Sequence, residues 1–397
     1  MNKITERLKF LRISDARHLP LFLLALPVAF MLKIFHRDLW LICEDGQTAR
    51  DNGYWLFRHI RQNHAEVDVA FAISRNSPDR DKVSSLGRII PFGSLMHWAY
   101  YIAARKNIFT AKLGKPSPAL CFPLEMYGLL RNKRVFLQHG ITKDDMKSLY
   151  YNVCKFSMFV TSAQREYEFI ENTFGYKGKN IVKLLGICRF DNLYMEKEVR
   201  DTKQILLMPT WRNWLGTAGR RTSMKAFCES EYFETYQSLL QNRHLSQLLQ
   251  ENDLRLVFFP HKGMQDFISA FKSESPNIVI ADWKQNDVQR LLMESAFCIT
   301  DYSSIAMDFA YMEKPLVYYQ FDYGRFRKSH YAEGYFSYET DGFGEICHTE
   351  TDLVALIEQY HRSGFKMKDI YKKRVHDFFT LHDNRNCERT FEAIKRL

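Results

Sequence analysis

FCIT-DYSS-IAMDFAYMEK-PLVYYQFD, residues 297–322, is the stretch from which the rest of the chain is read. FCIT (297–300) is apolar without alternation, the pattern of a strand covered on both faces. Asp301-Tyr302-Ser303-Ser304 is turn and N-cap chemistry. Ile305, Phe309 and Met312 then recur at helical spacing, and Lys314-Pro315 ends the helix before a second apolar strand. The stretch predicts a βαβ unit whose short helix begins at the carboxyl edge of a strand. Unpaired N–H groups there carry roughly half a positive charge, and the hydroxyls of Ser303 and Ser304 add donors. One reading is a seat for phosphate; the plainer one is that Ser303 caps a helix.

Outward from this unit, the chain alternates strand-like and helix-like runs. LWLIC (39–43), VDVAFAI (67–73), GRIIPF (87–92), NIFTA (107–111), RVFLQ (134–138), KFSMFVTS (155–162) and NIVKLLG (180–186) read as strands. Helices are expected over 51–62, from Gly93-Ser94 to Ala104, and over 163–174. A second series comprises QILLMPTW (204–211), LRLVFFP (254–260), NIVIAD (277–282), FCIT and PLVYY (315–319). The fold class is α/β: two doubly wound, Rossmann-like domains facing across a cleft. The expected division is a membrane-associating segment 1–38, an N-terminal domain 39–195, a C-terminal domain 196–375 and a terminal helix 376–397. Asp191–Lys203 serves as connector, and Gly216–Ser223 as a polar, basic loop.

The first 38 residues differ from the remainder. Five Lys/Arg stand against two acids in residues 1–17, and Leu19–Leu32 is apolar throughout. Fourteen residues make about 21 Å of helix, short of the ~30 Å hydrocarbon core. Pro20 and Pro27 argue further against a regular span. An in-plane or partly inserted anchor on an anionic cytoplasmic leaflet fits these features, with a signal peptide and a buried core helix as rivals.

The 397-residue chain carries a formal charge of +10, which asks for an anionic partner. It has no long basic block and no nucleic-acid-binding motif, so nucleic acid is not the expected one. Eight scattered Cys without a CxxC read as reduced thiols. No metal-ligand spacing, Walker loop, GxGxxG or GxSxG occurs, which argues against a metal centre and against P-loop, hydride-transfer and serine-hydrolase chemistry.

Ligands of open α/β sheets bind outside the carboxyl ends of strands. The residues just past the strands are therefore informative: His139-Gly140-Ile141-Thr142-Lys143, Pro209-Thr210-Trp211-Arg212, Pro260-His261-Lys262 and Asp301-Tyr302-Ser303-Ser304. Each has a plain structural alternative: a tight-turn histidine, a solvated arginine, a surface histidine. Asp301 would repel a diphosphate, so a role capping backbone N–H groups or binding a hydroxyl suits it.

HGITK, PTWR, PHK and ITDYSSIAMDFAYMEKPLVYYQFD, in that order and spacing, resemble the CDP-glycerol glycerophosphotransferase family, which includes teichoic-acid primases and polymerases and capsule polymerases. CEDGQTARDNGYWLFRHIR (43–61), GSLMHWAYYIAARKNIFTA (93–111) and GICRFD (186–191) agree with it. QHGITKD stands where WHGTPLK is common, and Cys188 where Pro is usual. The resemblance implies a GT-B-like fold, with acceptor on the N-terminal and nucleotide on the C-terminal domain of a peripheral enzyme at the cytoplasmic membrane face. By motif position it assigns His139 and His261 to catalysis and Ser303 and Ser304 to the donor phosphates; Thr210, Arg212 and Asp301, at the neighbouring strand ends, are the further candidates for binding the CDP-linked donor. The implied reaction moves a polyol phosphate, glycerol phosphate first among them, from a CDP-linked donor to a polyol-phosphate, glycan or lipid-linked acceptor hydroxyl, releasing CMP. It requires no cofactor and is compatible with a divalent metal. The alternatives are a GT-B glycosyltransferase using a nucleotide-linked sugar and a non-catalytic polymer-binding scaffold.

Overall fold

Apolar runs without alternation become parallel strands here, because both faces of each sheet are covered. β1 (Trp40–Cys43), β2 (Val69–Ile73), β3 (Ile89–Pro91), β4 (Lys106–Phe109), β5 (Lys133–Phe136), β6 (Met158–Thr161) and β7 (Val182–Leu184) form one sheet in the order β3-β2-β1-β4-β5-β6-β7. Along β1, Trp40 and Ile42 enter one apolar cluster while Leu41 and Cys43 enter another on the opposite face. Each such side chain contributes about 1.5–3 kcal/mol when fully buried. The computed structural model describes residues 15–195, 203–217, 220–329 and 332–397. The basic run at 1–14, most of the connector and part of the 216–223 loop lie outside them.

Contacts divide the chain into two units. One comprises the described residues up to Ile141, Lys147–Asp191 and Asp383–Leu397; the other comprises Thr142–Met146 and the described part of Asn192–His382. In the first, α1 (His18–Phe35) continues through Pro27, and Pro20 sits in its first turn, where a missing N–H costs nothing. The helix is therefore longer than the two prolines suggest: 18 residues with a mean hydropathy of 2.0. α2 (Asn52–Asn63) starts at an Asp51 N-cap and buries Tyr54, Leu56, Phe57 and Ile60, the face its spacing predicts. α1 packs through Ala25 and Ala29 on α3 (Leu95–Ala103), with Phe22 edge-on to Trp98 at 5.3 Å.

The second unit holds β8 (Gln204–Leu207), a small antiparallel pair β9 (Gly216–Thr217) and β10 (Arg220–Arg221), then β11 (Arg255–Phe258), β12 (Ile278–Ile280), β13 (Phe297–Thr300), β14 (Leu316–Tyr319) and β15 (Gly344–Cys347). Its parallel sheet runs β12-β11-β8-β13-β14-β15. Both large sheets thus place their third, second, first, fourth and later strands in the same sequence. Each reverses direction of growth beside its first strand, the position at which open α/β sheets bind their ligands. The predicted helix after β13 is α4 (Ile305–Tyr311), two turns and wholly buried. α5 (Asp369–Phe378) comes later, and α6 (Asn386–Lys395) rejoins the first unit, where Phe391 and Ile394 bury in the cluster of Trp40 and Ile60. Asp191 heads α6, accepting from the backbone N–H of Asn386 and of Cys387, each at 2.8 Å. Gly186 has φ +87°, and a Cβ there would lie 1.6 Å from Asn386 Oδ1, so only glycine allows this approach.

Candidate active site

In the first unit the site is built around the turn after β5. Gln138 adopts a left-handed backbone, φ 65°, at a cost of about 1–2 kcal/mol. Its amide holds the turn by donating to Val160 O at 2.6 Å and to Glu166 Oε1 at 2.9 Å. The turn presents His139 outward, its side chain 76% exposed, while its Nδ1 bonds the buried Asp51 carboxylate. Asp51 in turn accepts from Arg189 Nη1 at 2.8 Å, and the same guanidinium nitrogen donates to His139 O at 2.7 Å. Asn52 closes the ring of contacts, donating from Nδ2 to Gln138 O at 2.8 Å and accepting from Arg189 N at 3.0 Å.

Burial alone would raise the Asp51 carboxyl, but His139 when protonated, the Arg189 cation and the bonds from His139 and Asn52 N–H hold it below the ordinary aspartate value. An ionised Asp51 fixes the proton of a neutral His139 ring on Nδ1 and leaves the lone pair on Nε2, the arrangement of a general base. Glu44 supports the loop from beneath, accepting backbone N–H bonds from Arg50 and Asp51 at 3.0 Å and from Tyr54 at 2.8 Å.

In the second unit, the ends of β8 and β13 meet beside the reversal point of the sheet. Asp301 Oδ1 accepts from Thr210 N at 2.8 Å and Tyr302 N at 2.6 Å, tying the two strand ends together. Its other oxygen pairs with Arg212 Nη1 at 2.8 Å, and neither side chain has any exposed surface. Arg212 also grips Asp322 in bidentate fashion, Nε at 2.7 Å and Nη2 at 3.0 Å, and donates to Thr210 O at 2.7 Å. Tyr302, Tyr232, Phe326 and Phe321 ring the guanidinium at 5.1–5.7 Å. Burial opposes the charge on Arg212, yet Asp301 and Asp322 outweigh it and push its pKa higher still. Arg212, expected on the donor side, is enclosed and matched to Asp301 and Asp322, while Asp301 takes the expected role of capping backbone N–H groups; together they position the 301–304 turn.

That turn carries the remaining candidates. Ser303 Oγ accepts from Ile305 N at 3.3 Å, and Ser304 caps α4 without a side-chain bond. Thr210 Oγ1 is buried without a hydrogen-bond partner among the described residues. His261 opens the helical turn 262–270, its Nδ1 accepting from Gly263 N at 3.0 Å, and its ring lies over Trp211 at 6.4 Å. An Nδ1 that accepts puts the proton on Nε2. His139 and His261 therefore have opposite tautomers, one suited to accepting a proton and the other to donating a hydrogen bond. The structure places them in different units, each beyond the carboxyl end of a strand. Among the described residues, two imidazole–imidazole–carboxylate groups have metal-binding spacing, His59/His64/Glu388 and Glu313/His376/His382, and neither includes a candidate above.

The profile of the CDP-Glycerol:Poly(glycerophosphate) glycerophosphotransferase family matches residues 25–396. The chain belongs to this family. Among the relatives of this glycerophosphotransferase-family chain is the minor teichoic acid biosynthesis protein GgaB of Bacillus subtilis (strain 168), 33% identical over 384 residues, which cover 94% of the chain and 42% of GgaB. The teichoic acid ribitol-phosphate polymerase TarL of Staphylococcus aureus is 24% identical over 243 residues, 57% of the chain and 39% of TarL. The chain thus spans about two fifths of the length of these relatives. Among solved structures, the wall teichoic acid polymerase TagF superimposes with a TM-score of 0.69 at 15% identity, covering 100% of this chain and 98% of that one. The S. aureus MnaA–UDP structure superimposes at 0.57 and 12%, covering 90% and 95%. These likenesses establish two Rossmann-like α/β domains.

Asp51, Arg189 and Asp322 were not among the sequence candidates. The strand-end rule finds two of them once it is extended to β1 and β14, because Asp51 lies past the end of the first and Asp322 past the end of the second. Extended to β7 as well, the rule also reaches Arg189, which lies in GICRFD shortly past Leu184.

Proposed function

We infer that the chain transfers a polyol phosphate, glycerol phosphate first among them, from a CDP-activated donor to an acceptor hydroxyl, releasing CMP. The product is a teichoic-acid-like or capsular surface polymer. The observation that carries the reading is the exposed His139 imidazole backed by buried, ionised Asp51 in a family of glycerophosphotransferases. His139 Nε2 takes the proton of the acceptor hydroxyl, whose oxygen attacks the phosphorus bearing the polyol. A P–O bond forms, the bridging P–O bond of the diphosphate breaks, and CMP leaves with the electron pair. Base catalysis of this kind contributes roughly 10²–10⁴-fold.

Charge growing on the departing CMP phosphate is met by His261 Nε2–H and the hydroxyls of Ser303 and Ser304. With α4 only two turns long, these donors matter more than its dipole. Thr210 lines the same donor side, while Arg212 and Asp301 hold the turn in shape. The first unit takes the acceptor and the second the donor. The scheme uses no cofactor, and nucleic acid has no part in it.

α1 supports a peripheral seat on the cytoplasmic membrane face. One side of the helix packs on α3, while Leu19, Leu23, Leu24, Phe30, Met31, Ile34 and Phe35 are all more than half exposed. Apolar side chains on this scale, with an overall positive charge, suit an in-plane anchor on an anionic leaflet.

Incubating the full chain with CDP-glycerol, CDP-ribitol and nucleotide sugars, each with a short polyol-phosphate acceptor, tests the reading by mass spectrometry. The expected result is one CMP per transfer and an acceptor heavier by a polyol phosphate. Transfer of a sugar without phosphorus identifies a glycosyltransferase instead, and absence of turnover with every donor favours the scaffold.

A further inference from the structure

At the far end of α4 from the Ser303–Ser304 turn, three metal-binding side chains converge that the proposed reaction does not use. Glu313 lies just past α4 in a left-handed conformation, φ 57°, a position where helices ordinarily end in glycine. His376 stands in the last turn of α5, and His382 lies beyond it. The His376 Nε2 and His382 Nδ1 atoms are each 3.8 Å from the same oxygen of Glu313, Oε1. All three ligand atoms lie within 4.8 Å of one another.

Those distances are too long for hydrogen bonds. They approach the span of ligands sharing an ion: two donors about 2.1 Å from Zn²⁺ at the tetrahedral angle stand about 3.4 Å apart, a few tenths of an ångström closer than these pairs. His382 is also prepared as a ligand. Its Nε2 lies 2.8 Å from Tyr311 O, a pure acceptor, so Nε2 carries the proton and Nδ1 presents its lone pair toward Glu313. The ring is fixed by edge-on contacts with Tyr311 at 4.6 Å and Tyr194 at 5.5 Å, and its side chain is 13% exposed. His376, 58% exposed, has room to adjust.

The other imidazole–carboxylate group has an ordinary explanation. There His59 Nε2 lies 2.9 Å from Glu388, a normal hydrogen bond, and the Asn63 amide faces His59 Nδ1.

We propose that Glu313, His376 and His382 bind one Zn²⁺ ion, with water at the fourth position. Two imidazoles and a carboxylate are a zinc donor set. The ion would clip α5 and the His382 segment to the end of the helix whose other end forms the proposed donor turn. The proposed reaction uses none of the three ligands, so the site stands whether or not CDP-linked donors are the substrates.

The test strips the full chain with EDTA and titrates it with zinc chloride against a chromophoric chelator, alongside thermal unfolding. The expected result is one equivalent of bound Zn²⁺ that raises the Tm. Glu313→Gln and His376→Gln should each weaken binding by at least about tenfold and abolish the Tm shift. His376 is mostly exposed, so its variant separates ligand loss from misfolding. His59→Gln should leave both readouts unchanged. No stoichiometric binding, binding that survives both variants, or binding lost with His59→Gln would overturn the proposal.

Discussion

Replacing Asp51 with Asn lowers turnover by a factor on the order of 10³–10⁴ while the affinity for a CDP-linked donor stays within a few-fold. The size matches the Ser-His-Asp template, where the same change at the buried carboxylate leaves the geometry intact and drops kcat about 10⁴-fold. The physical cause is the same here. The asparagine amide could present either an N–H or a carbonyl to His139 Nδ1, so the ring would no longer be held with its lone pair on Nε2. The imidazolium formed as the acceptor proton arrives would also lose its counter-charge. Arg189 would keep its bond to His139 O at 2.7 Å, so the fold should survive with a modest loss of Tm. Turnover within tenfold of wild type, in a variant whose circular dichroism is unchanged, would remove Asp51 from the account.

The second large effect is on stability. Arg212→Met leaves Asp301 and Asp322 enclosed without their shared cation, and breaking a buried ion pair on one side costs about 3–5 kcal/mol. For a unit of this size that is a fall in Tm of roughly 10 °C. Arg212→Lys keeps the charge but loses the bidentate grip on Asp322, and should fall between the two. Adding Asp301→Asn and Asp322→Asn to Arg212→Met should restore part of the loss, because the uncompensated charges go with the cation. Urea titrations of the four proteins measure this directly. A loss below about 1 kcal/mol for Arg212→Met would mean that the network is not what holds the 301–304 turn.

Arg212 also shows where sequence reasoning stops. An arginine five residues beyond a strand end, near a presumed diphosphate, reads naturally as a phosphate ligand. Nothing local reveals that Asp322, 110 positions later, returns to the same spot. Asp301 was easier, because an acid that would repel a diphosphate suits nearby backbone N–H groups instead, and Thr210 and Tyr302 supply them. Uninterrupted apolar runs carried most of both sheets. β15 went unread because GEIC offers two apolar residues and no run. The terminal helix was legible as a helix, but Phe391 and Ile394 say nothing about which core they enter. Pro27 misled for a related reason: packing of α1 on α3 outweighs the single hydrogen bond a proline removes.

The most direct measurement compares donor binding and turnover in one preparation of His139→Ala, using CDP-glycerol. With the base gone and the donor side untouched, CMP release should fall by at least about 10²-fold while the Kd for CDP-glycerol changes little. Weakened donor binding with turnover retained would contradict the assignment of His139 as the base.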